Sequence, residues 1–281
     1  MEAISSNVRT GQSLAVVMGA GGLAMAVARR LGNTYRVMVV DREPAQLDAQ
    51  VEALRREGHD ASGVQCDVTE PDDMARVAAS AQAAGPVRAL AHVVGVSPSL
   101  GDGPTVLRVN LCGPALAADA FLPIMAPGSA AVFISSIAAH LIEVPKALMT
   151  ILDDPLRPDL VERVQAELGG ELSSAQAYQY SKAALNRLCR RRVTQWGDRG
   201  LRILSLSPGL IATPMGATEF KNPAKLELFQ RSPLKREGTM IEIADAVEFL
   251  LSERASFISG VDLLVDGGIT AAVHNAAEAG S

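Results

Sequence analysis

Tyr178 and Lys182 stand four residues apart in the run Tyr178-Gln179-Tyr180-Ser181-Lys182. If the segment is helical, that spacing puts a phenol and an ammonium on one face. A phenol gives up its proton only near pH ~10, and a fixed cation beside it brings that value toward neutrality. The pair therefore suits a general acid/base that moves a proton on and off an alcohol oxygen. The chain has only three Tyr, so such a pair seldom arises by chance. Tyr180 is the rival base, but the residue four positions on is Ala184, which carries no charge.

A second constellation lies near the start of the chain. Gly19-x-Gly21-x-x-Ala24 follows a short apolar run and opens a helical stretch. The first Gly permits a tight turn, the second lets backbone approach a pyrophosphate, and Ala24 keeps helix and strand close. Phosphate would rest on the free N–H groups of Gly21, Gly22 and Leu23 at the helix start. Asp41 follows about 20 residues later, where a carboxylate accepts hydrogen bonds from ribose hydroxyls. It repels a 2′-phosphate, so NAD is expected rather than NADP. Arg42 is the counter-signal, because a guanidinium beside the ribose suits that phosphate.

Elements that could position these groups follow one pattern. Apolar strands are expected at 13–18, 37–40, 64–66, 89–94, 130–134, 203–206 and 262–265. Helices are expected at 45–57, 72–84, 106–125, 174–196 and 241–252, the fourth with Ser173 and Gln176 spaced as a capping box. Near-continuous apolar strands alternating with helices imply a parallel sheet covered on both faces. The expected fold class is α/β, a single-domain, Rossmann-type, doubly wound parallel sheet of about seven strands over residues 1–281. A polar tail at 275–281 is expected to be disordered.

Composition narrows the classes. The chain has 281 residues, is 48% hydrophobic and carries a net charge of -5. An acidic chain is a poor binder of nucleic acid or anionic membranes, so neither partner is expected. The cluster Arg190-Arg191-Arg192 fits the end of a helix better than a phosphate patch. Three widely spaced Cys and four scattered His imply reduced thiols, a cytoplasmic location and no metal. The longest apolar run, 14–28, is interrupted by Gly and too short to span a bilayer.

In this setting the sequence resembles the short-chain dehydrogenase/reductase family from about Ser13 to Gly268. Asp67-Val68 is similar to the pair that packs on the adenine ring. Asn110 matches the family's active-site asparagine, and Ser136 the catalytic serine at a strand end, with Ser135 the alternative. Tyr178 and Lys182 match the Tyr-x-x-x-Lys pair. The stretch Ser207–Thr213 matches the segment that touches the nicotinamide end, through Pro208, Gly209, Ile211 and Thr213. Gly95 matches the last residue of the family's Asn-Asn-Ala-Gly strand end, which reads His92-Val93-Val94-Gly95 in this chain. The glycine loop is one residue shorter than usual. His92 is expected to be a buried histidine bonded to backbone.

The resemblance implies a catalytic set of Asn110, Ser136, Tyr178 and Lys182. Ser136 would orient the substrate oxygen, and Tyr178 would exchange the proton. Lys182 would also hold the nicotinamide ribose, and Asn110 a water of a proton relay. The chain departs most between Ser136 and Tyr178, where 141–177 contains a long insertion. Its first half is apolar, and 159–168 has the pattern of a short amphipathic helix. This insertion resembles that of the bacterial 3α-hydroxysteroid dehydrogenase/carbonyl reductase subgroup. A hydrophobic lid and a dimer surface are both open readings for it, and a homodimer or homotetramer is expected. Ser97, Ile137, Leu141 and Met215 are candidate substrate-pocket residues, and the segment 214–237 is expected to move when substrate binds. The implied activity is NAD(H)-dependent oxidation of a secondary alcohol, or the reverse, on a bulky apolar substrate such as a hydroxysteroid or other cyclic or aromatic alcohol. The alternatives are a ketoreductase acting on small or carrier-bound 3-oxo substrates and a non-catalytic dinucleotide-binding sensor.

Overall fold

Seven parallel strands form one sheet in the order β3-β2-β1-β4-β5-β6-β7. The structure, a computed structural model, describes residues 13–212 and 223–279. The first half alternates β1 (Leu14–Met18), α1 (Gly22–Leu31), β2 (Arg36–Asp41), α2 (Pro44–Arg56), β3 (Ala61–Gln65) and α3 (Pro71–Ala84). The second half starts with β4 (Val87–His92), α4 (Gly103–Leu107), a π turn (Arg108–Cys112), α5 (Gly113–Phe121) and β5 (Met125–Ile134). It continues through α6 (Lys146–Leu152), α7 (Leu160–Leu168), α8 (Ser174–Gly197) and β6 (Arg202–Pro208). It ends with α9 (Pro223–Arg231), α10 (Met240–Leu251), β7 (Asp262–Val265) and α11 (Ile269–Ala279).

Alternation along each strand divides the core into two layers. Val16, Met18, Leu90 and Phe133 face α3, α5 and α8, where Phe121 and Trp196 are fully buried. Ala15, Val17, Ala91 and Val132 face α1, α2 and α10. Strand order reverses between β1 and β4, so a crevice opens at their carboxyl ends.

The expected helix over 106–125 is broken. Asn110 sits in the π turn, accepts the Val96 N–H at 2.8 Å and donates to the Val96 carbonyl at 2.9 Å. Its amide thus ties the helix to the loop after β4, at the cost of a widened turn. Pro114 then restarts the chain as α5. Strand β5 begins at Met125, earlier than expected, because the chain bulges before Ala130 and Gly128 takes φ +84. Strand β3 spans Ala61–Gln65 rather than 64–66; it is an edge strand with alternating burial, which an apolar run does not signal. Of the tail expected to be disordered at 275–281, the described part is corrected, since α11 is helical through Ala279. Ile269 anchors that helix against Ile137 and Leu210, and His274 Nε2 lies 3.0 Å from the His140 carbonyl oxygen.

The insertion folds onto its own neighbours. Leu148, Leu152, Leu160, Val161 and Val164 of α6 and α7 join Leu107 and Leu111, together with Tyr180 and Ala184 of α8, in one buried cluster. Each such side chain contributes about 1.5–3 kcal/mol by leaving water. Asp153 accepts from Arg187 at 2.6 and 2.9 Å and lies 3.3 Å from Arg191, while Arg192 pairs with Asp119. Arg191 and Arg192 therefore form side-chain ion pairs with acidic partners elsewhere in the fold. At the far end of the insertion, a Cβ placed on Gly103 would meet the Leu172 carbonyl oxygen at 1.9 Å. Backbone cannot yield as a flexible side chain can, so Gly103→Ala is expected to cost about 1–3 kcal/mol. Denaturant unfolding would show a lower midpoint with an unchanged slope, and unchanged stability would disprove this close docking.

Candidate active site

Helix α8 positions the acid/base pair. Its capping box is formed: the Ser173 hydroxyl accepts the Gln176 N–H at 3.3 Å and the Gln176 side chain accepts from Ser173 N at 3.3 Å. One turn later Tyr178 borders the crevice at the sheet's carboxyl end. The Lys182 Nζ lies 5.8 Å from the centre of the Tyr178 ring. Tyr180 turns the other way and is buried against the insertion. Lys182 is buried and donates to the Ile134 carbonyl at 2.9 Å. Burial brings its pKa down to about 8.

Space around this ammonium is kept by Gly95, whose Cβ would lie 3.3 Å from Asn110 Oδ1 and 3.4 Å from Lys182 Nζ. Asn110 itself is fully buried and spends its amide on Val96, so it acts here as a tie between α4 and the β4 loop. The Ser135 hydroxyl donates to the Lys182 carbonyl at 3.1 Å and is committed to fixing α8. Ser136 borders the crevice, half-buried, and its oxygen accepts the Ala138 N–H at 3.2 Å. His92 is buried below, stacked on Phe133 at 5.7 Å, and its Nε2 finds no hydrogen-bond partner among the described residues. The ring does form a hydrogen bond to backbone, that of His92 itself, as expected of a buried histidine. Burial, and then the charge of Lys182, push the imidazole down to about 3, so it is neutral.

The crevice has a volume of about 820 Å³ and runs from the glycine loop to the insertion's first residue. Gly19, Gly21, Gly22, Leu23, Asp41, Gly95, Ser97, Ile137, Leu141, Pro208, Gly209 and Ile211 all border it, with Ser136, Tyr178 and Lys182. Gly19 holds φ +114, a conformation that favours glycine. A Cβ on Gly21 would meet nothing within 4 Å, and no side chain caps α1. That open cradle leaves the first N–H groups of a ten-residue helix for an anion, so a pyrophosphate fits. Asp41 accepts the Ala20 N–H at 2.7 Å and the Glu43 N–H at 3.0 Å.

Four expected contacts stand apart. Arg42, Asp67 and Val68 do not border the crevice. Asp67 is taken by Thr69, whose N–H and hydroxyl donate at 2.9 and 2.7 Å, and Val68 packs beneath Gly113. Arg42 is exposed and lies 3.2 Å from Glu43. Asn110 lies behind Gly95 rather than on the wall. Thr213 and Met215, with the first part of the segment thought to move (214–222), lie outside the described residues. Of the insertion only Leu141 reaches the crevice.

Several wall residues escaped the sequence, Gln46 and Leu228 among them. Gln46 donates to the Ala20 carbonyl at 2.9 Å, and Leu228 of α9 faces Ile137 and Leu141. The position of Gln46 in the first turn of α2, just after Asp41, was the available signal. For Leu228 no motif existed. Among the described residues no His, Cys, Asp or Glu groups converge to hold a metal ion, and no helix is long and apolar enough to cross a membrane. Cys66 and Cys189 are buried and Cys112 half-buried, all free, with burial raising each thiol.

The buried ammonium makes a pH-dependent contribution. Its value falls from 10.5 when unfolded to about 8 when folded, so the unfolded chain binds more protons between those limits. Stability contributed at this site therefore rises with pH from about 8 to 10.5 and is flat below. The difference in unfolding free energy between wild type and Lys182→Met should shift in favour of wild type over that window. A pH-independent difference would refute the depressed value.

Known proteins resemble this chain in sequence and fold. Residues 13–147 match the short chain dehydrogenase family model, and 164–270 a model described as enoyl-(acyl carrier protein) reductase. The short-chain dehydrogenase/reductase bsc3 of Alternaria brassicicola is 32% identical over 270 residues, covering 92% of this chain and 96% of its own. Galactitol 2-dehydrogenase (L-tagatose-forming) of Cereibacter sphaeroides is 30% identical, covering 91% and 94%. The 3-alpha-hydroxysteroid dehydrogenase/carbonyl reductase of Comamonas testosteroni is 34% identical over 176 residues, 60% of this chain and 67% of its own. The crystal structure of gox2181 has the same fold, with a TM-score of 0.75 at 24% identity over 92% of this chain and 96% of that one. By its sequence, its sheet and the likeness of bsc3 along nearly its whole length, the chain belongs to the short-chain dehydrogenase/reductase family, oxidoreductases that use a nicotinamide dinucleotide.

Proposed function

We propose that the chain is an NAD(H)-dependent oxidoreductase that interconverts a secondary alcohol and a ketone on a bulky apolar substrate, such as a hydroxysteroid or another cyclic alcohol. The observation that carries this reading is the convergence of Ser136, Tyr178 and Lys182 on the crevice that also holds the open glycine cradle. The bound dinucleotide supplies the hydride acceptor or donor. Gly21, Gly22 and Leu23 would hold its pyrophosphate, Lys182 its nicotinamide ribose, and Pro208, Gly209 and Ile211 would flank its nicotinamide end. Ser136 orients the substrate oxygen by hydrogen bond. Tyr178 takes the hydroxyl proton in oxidation and returns it in reduction, its anion favoured by the neighbouring ammonium.

Asp41 supports NAD. Its carboxylate borders the crevice at the end of β2, and Arg42 lies against Glu43, which offsets its charge. The substrate end supports an apolar ligand, because Ile137, Leu141, Leu210 and Leu228 meet there in one hydrophobic cluster. A polyol, the substrate class of the galactitol relative, would leave its hydroxyls unpaired against that wall. Carrier-bound 3-oxo substrates and a purely sensory role account less well for an apolar pocket around a phenol placed beside an ammonium. As a homo-oligomer, the chain would associate through surfaces other than the α4–α8 face, which the insertion occupies.

Tyr178→Phe should leave NAD affinity within about twofold and lower turnover of a cyclic secondary alcohol by at least ~10²-fold. Near-normal turnover would remove Tyr178 from the chemistry. Asp41→Asn should raise NADP affinity relative to NAD by about tenfold, roughly 1.4 kcal/mol of relieved repulsion. An unchanged ratio in a binding titration would mean that Asp41 does not select the cofactor. Oxidation of polyols in preference to cyclic alcohols by wild type would overturn the substrate class.

A further inference from the structure

A polar cluster outside the catalytic set brackets the turn that carries Ser136. Ser136 caps a single 3-10 turn, Ile137–Ala139, and His140 closes it by donating its N–H to the Ile137 carbonyl at 2.8 Å. The His140 Nε2 lies 2.7 Å from Asp262 Oδ2 on β7. Asp262 pairs in register with Ser205 of β6, so it is part of the rigid sheet. A carboxylate only accepts, so Nε2 carries the proton and donates to it. The Asn186 amide, one helical turn after Lys182, lies 3.4 Å from the same nitrogen. The Asn186 Oδ1 is buried without a partner among the described residues, and turning that amide over brings the oxygen to face the imidazole N–H. From the other side, His274 of α11 lies against the His140 carbonyl at 3.0 Å. One imidazole thus joins the turn to β7 and α8, and its backbone carbonyl joins the turn to α11.

We infer that His140 is a positioning residue: its bond to Asp262 fixes the 3-10 turn against the sheet and α8, and so sets where the Ser136 hydroxyl stands relative to Tyr178. The inference rests on Ser136 orienting the substrate oxygen as proposed above. Ser136 and His140 are the two ends of one turn, which is too short to absorb movement at one end without moving the other. The side chain of Asp262 is only 10% exposed, and its Oδ1 has no partner among the described residues, so His140 is the partner that compensates this carboxylate. The link is independent of the glycine cradle, so losing it should spare dinucleotide binding.

The test compares His140→Phe, which keeps a ring and removes the donor, with His140→Gln, whose amide nitrogen reaches the position of Nε2. His140→Phe should lower kcat at least about tenfold, within the ~10²-fold that a 1 Å misplacement can cost. The NAD dissociation constant should stay within twofold, and His140→Gln should recover most of the loss. Because an unpaired buried carboxylate could unfold the first variant, Asp262→Leu breaks the same link without leaving a charge and should reproduce the kinetic defect. Ser136→Ala is measured alongside. If it loses turnover while His140→Phe and Asp262→Leu stay within twofold of wild type, the positioning role is overturned. It is equally overturned if His140→Gln is as impaired as His140→Phe. If Ser136→Ala keeps its turnover, the functional reading fails instead, and amide hydrogen exchange of residues 138–140 judges the link. Faster exchange in His140→Phe than in His140→Gln supports the link, and equal protection overturns it.

Discussion

A single ammonium taken out of water organises this molecule. Lys182 is buried at the carboxyl end of β5, and its charge is compensated by the Ile134 carbonyl. A cation in that position is costly unless oxygen and dipoles surround it. The neighbouring residues answer that cost. Gly95 keeps clear the space between the ammonium and Asn110, and Ser135 clamps the helix at the Lys182 carbonyl. The π turn around Asn110 follows from the same demand, because its amide must reach Val96 to hold the β4 loop near the charge.

Legibility in the sequence followed the range of the interaction. Parallel strands with two covered faces showed as apolar runs, because a strand buried on both sides needs nothing else. The capping box at Ser173 and Gln176 was visible because its partners are three residues apart. The Tyr178–Lys182 face was visible for the same reason. The break at Asn110 was not, since its cause is a bond to Val96, which periodicity does not register. The fate of His92 was hidden likewise. A strand position predicts burial, but only the neighbouring Phe133 decides that the ring stacks, with Nε2 left without a partner among the described residues.

The insertion shows how an apolar pattern can mislead about place while being right about burial. Its leucines and valines are buried as their pattern requires, yet they are buried against α4 and α8 rather than across the crevice. The close docking of Leu172 on Gly103 and the ion pairs of Asp153 fix it there. An apolar stretch states that it needs a partner, and the fold decides which one. The apolar end of the crevice is instead walled by residues from three distant stretches, Ile137 and Leu141, Leu210, and Leu228.

The peptide of Ala20 is gripped from both sides: its N–H by Asp41 and its carbonyl by Gln46. Asp41 therefore supports the glycine loop and borders the crevice with one carboxylate. On the reading proposed above, loop order and choice of dinucleotide would rest on this one residue. Mutations at 41 and 46 should be epistatic, since each grips the same peptide. A lineage leaving this sequence for the phosphorylated cofactor would have to rebuild the loop before, or together with, the change of charge. On that reading, cofactor preference would change slowly in this chain, for reasons of backbone support rather than of recognition.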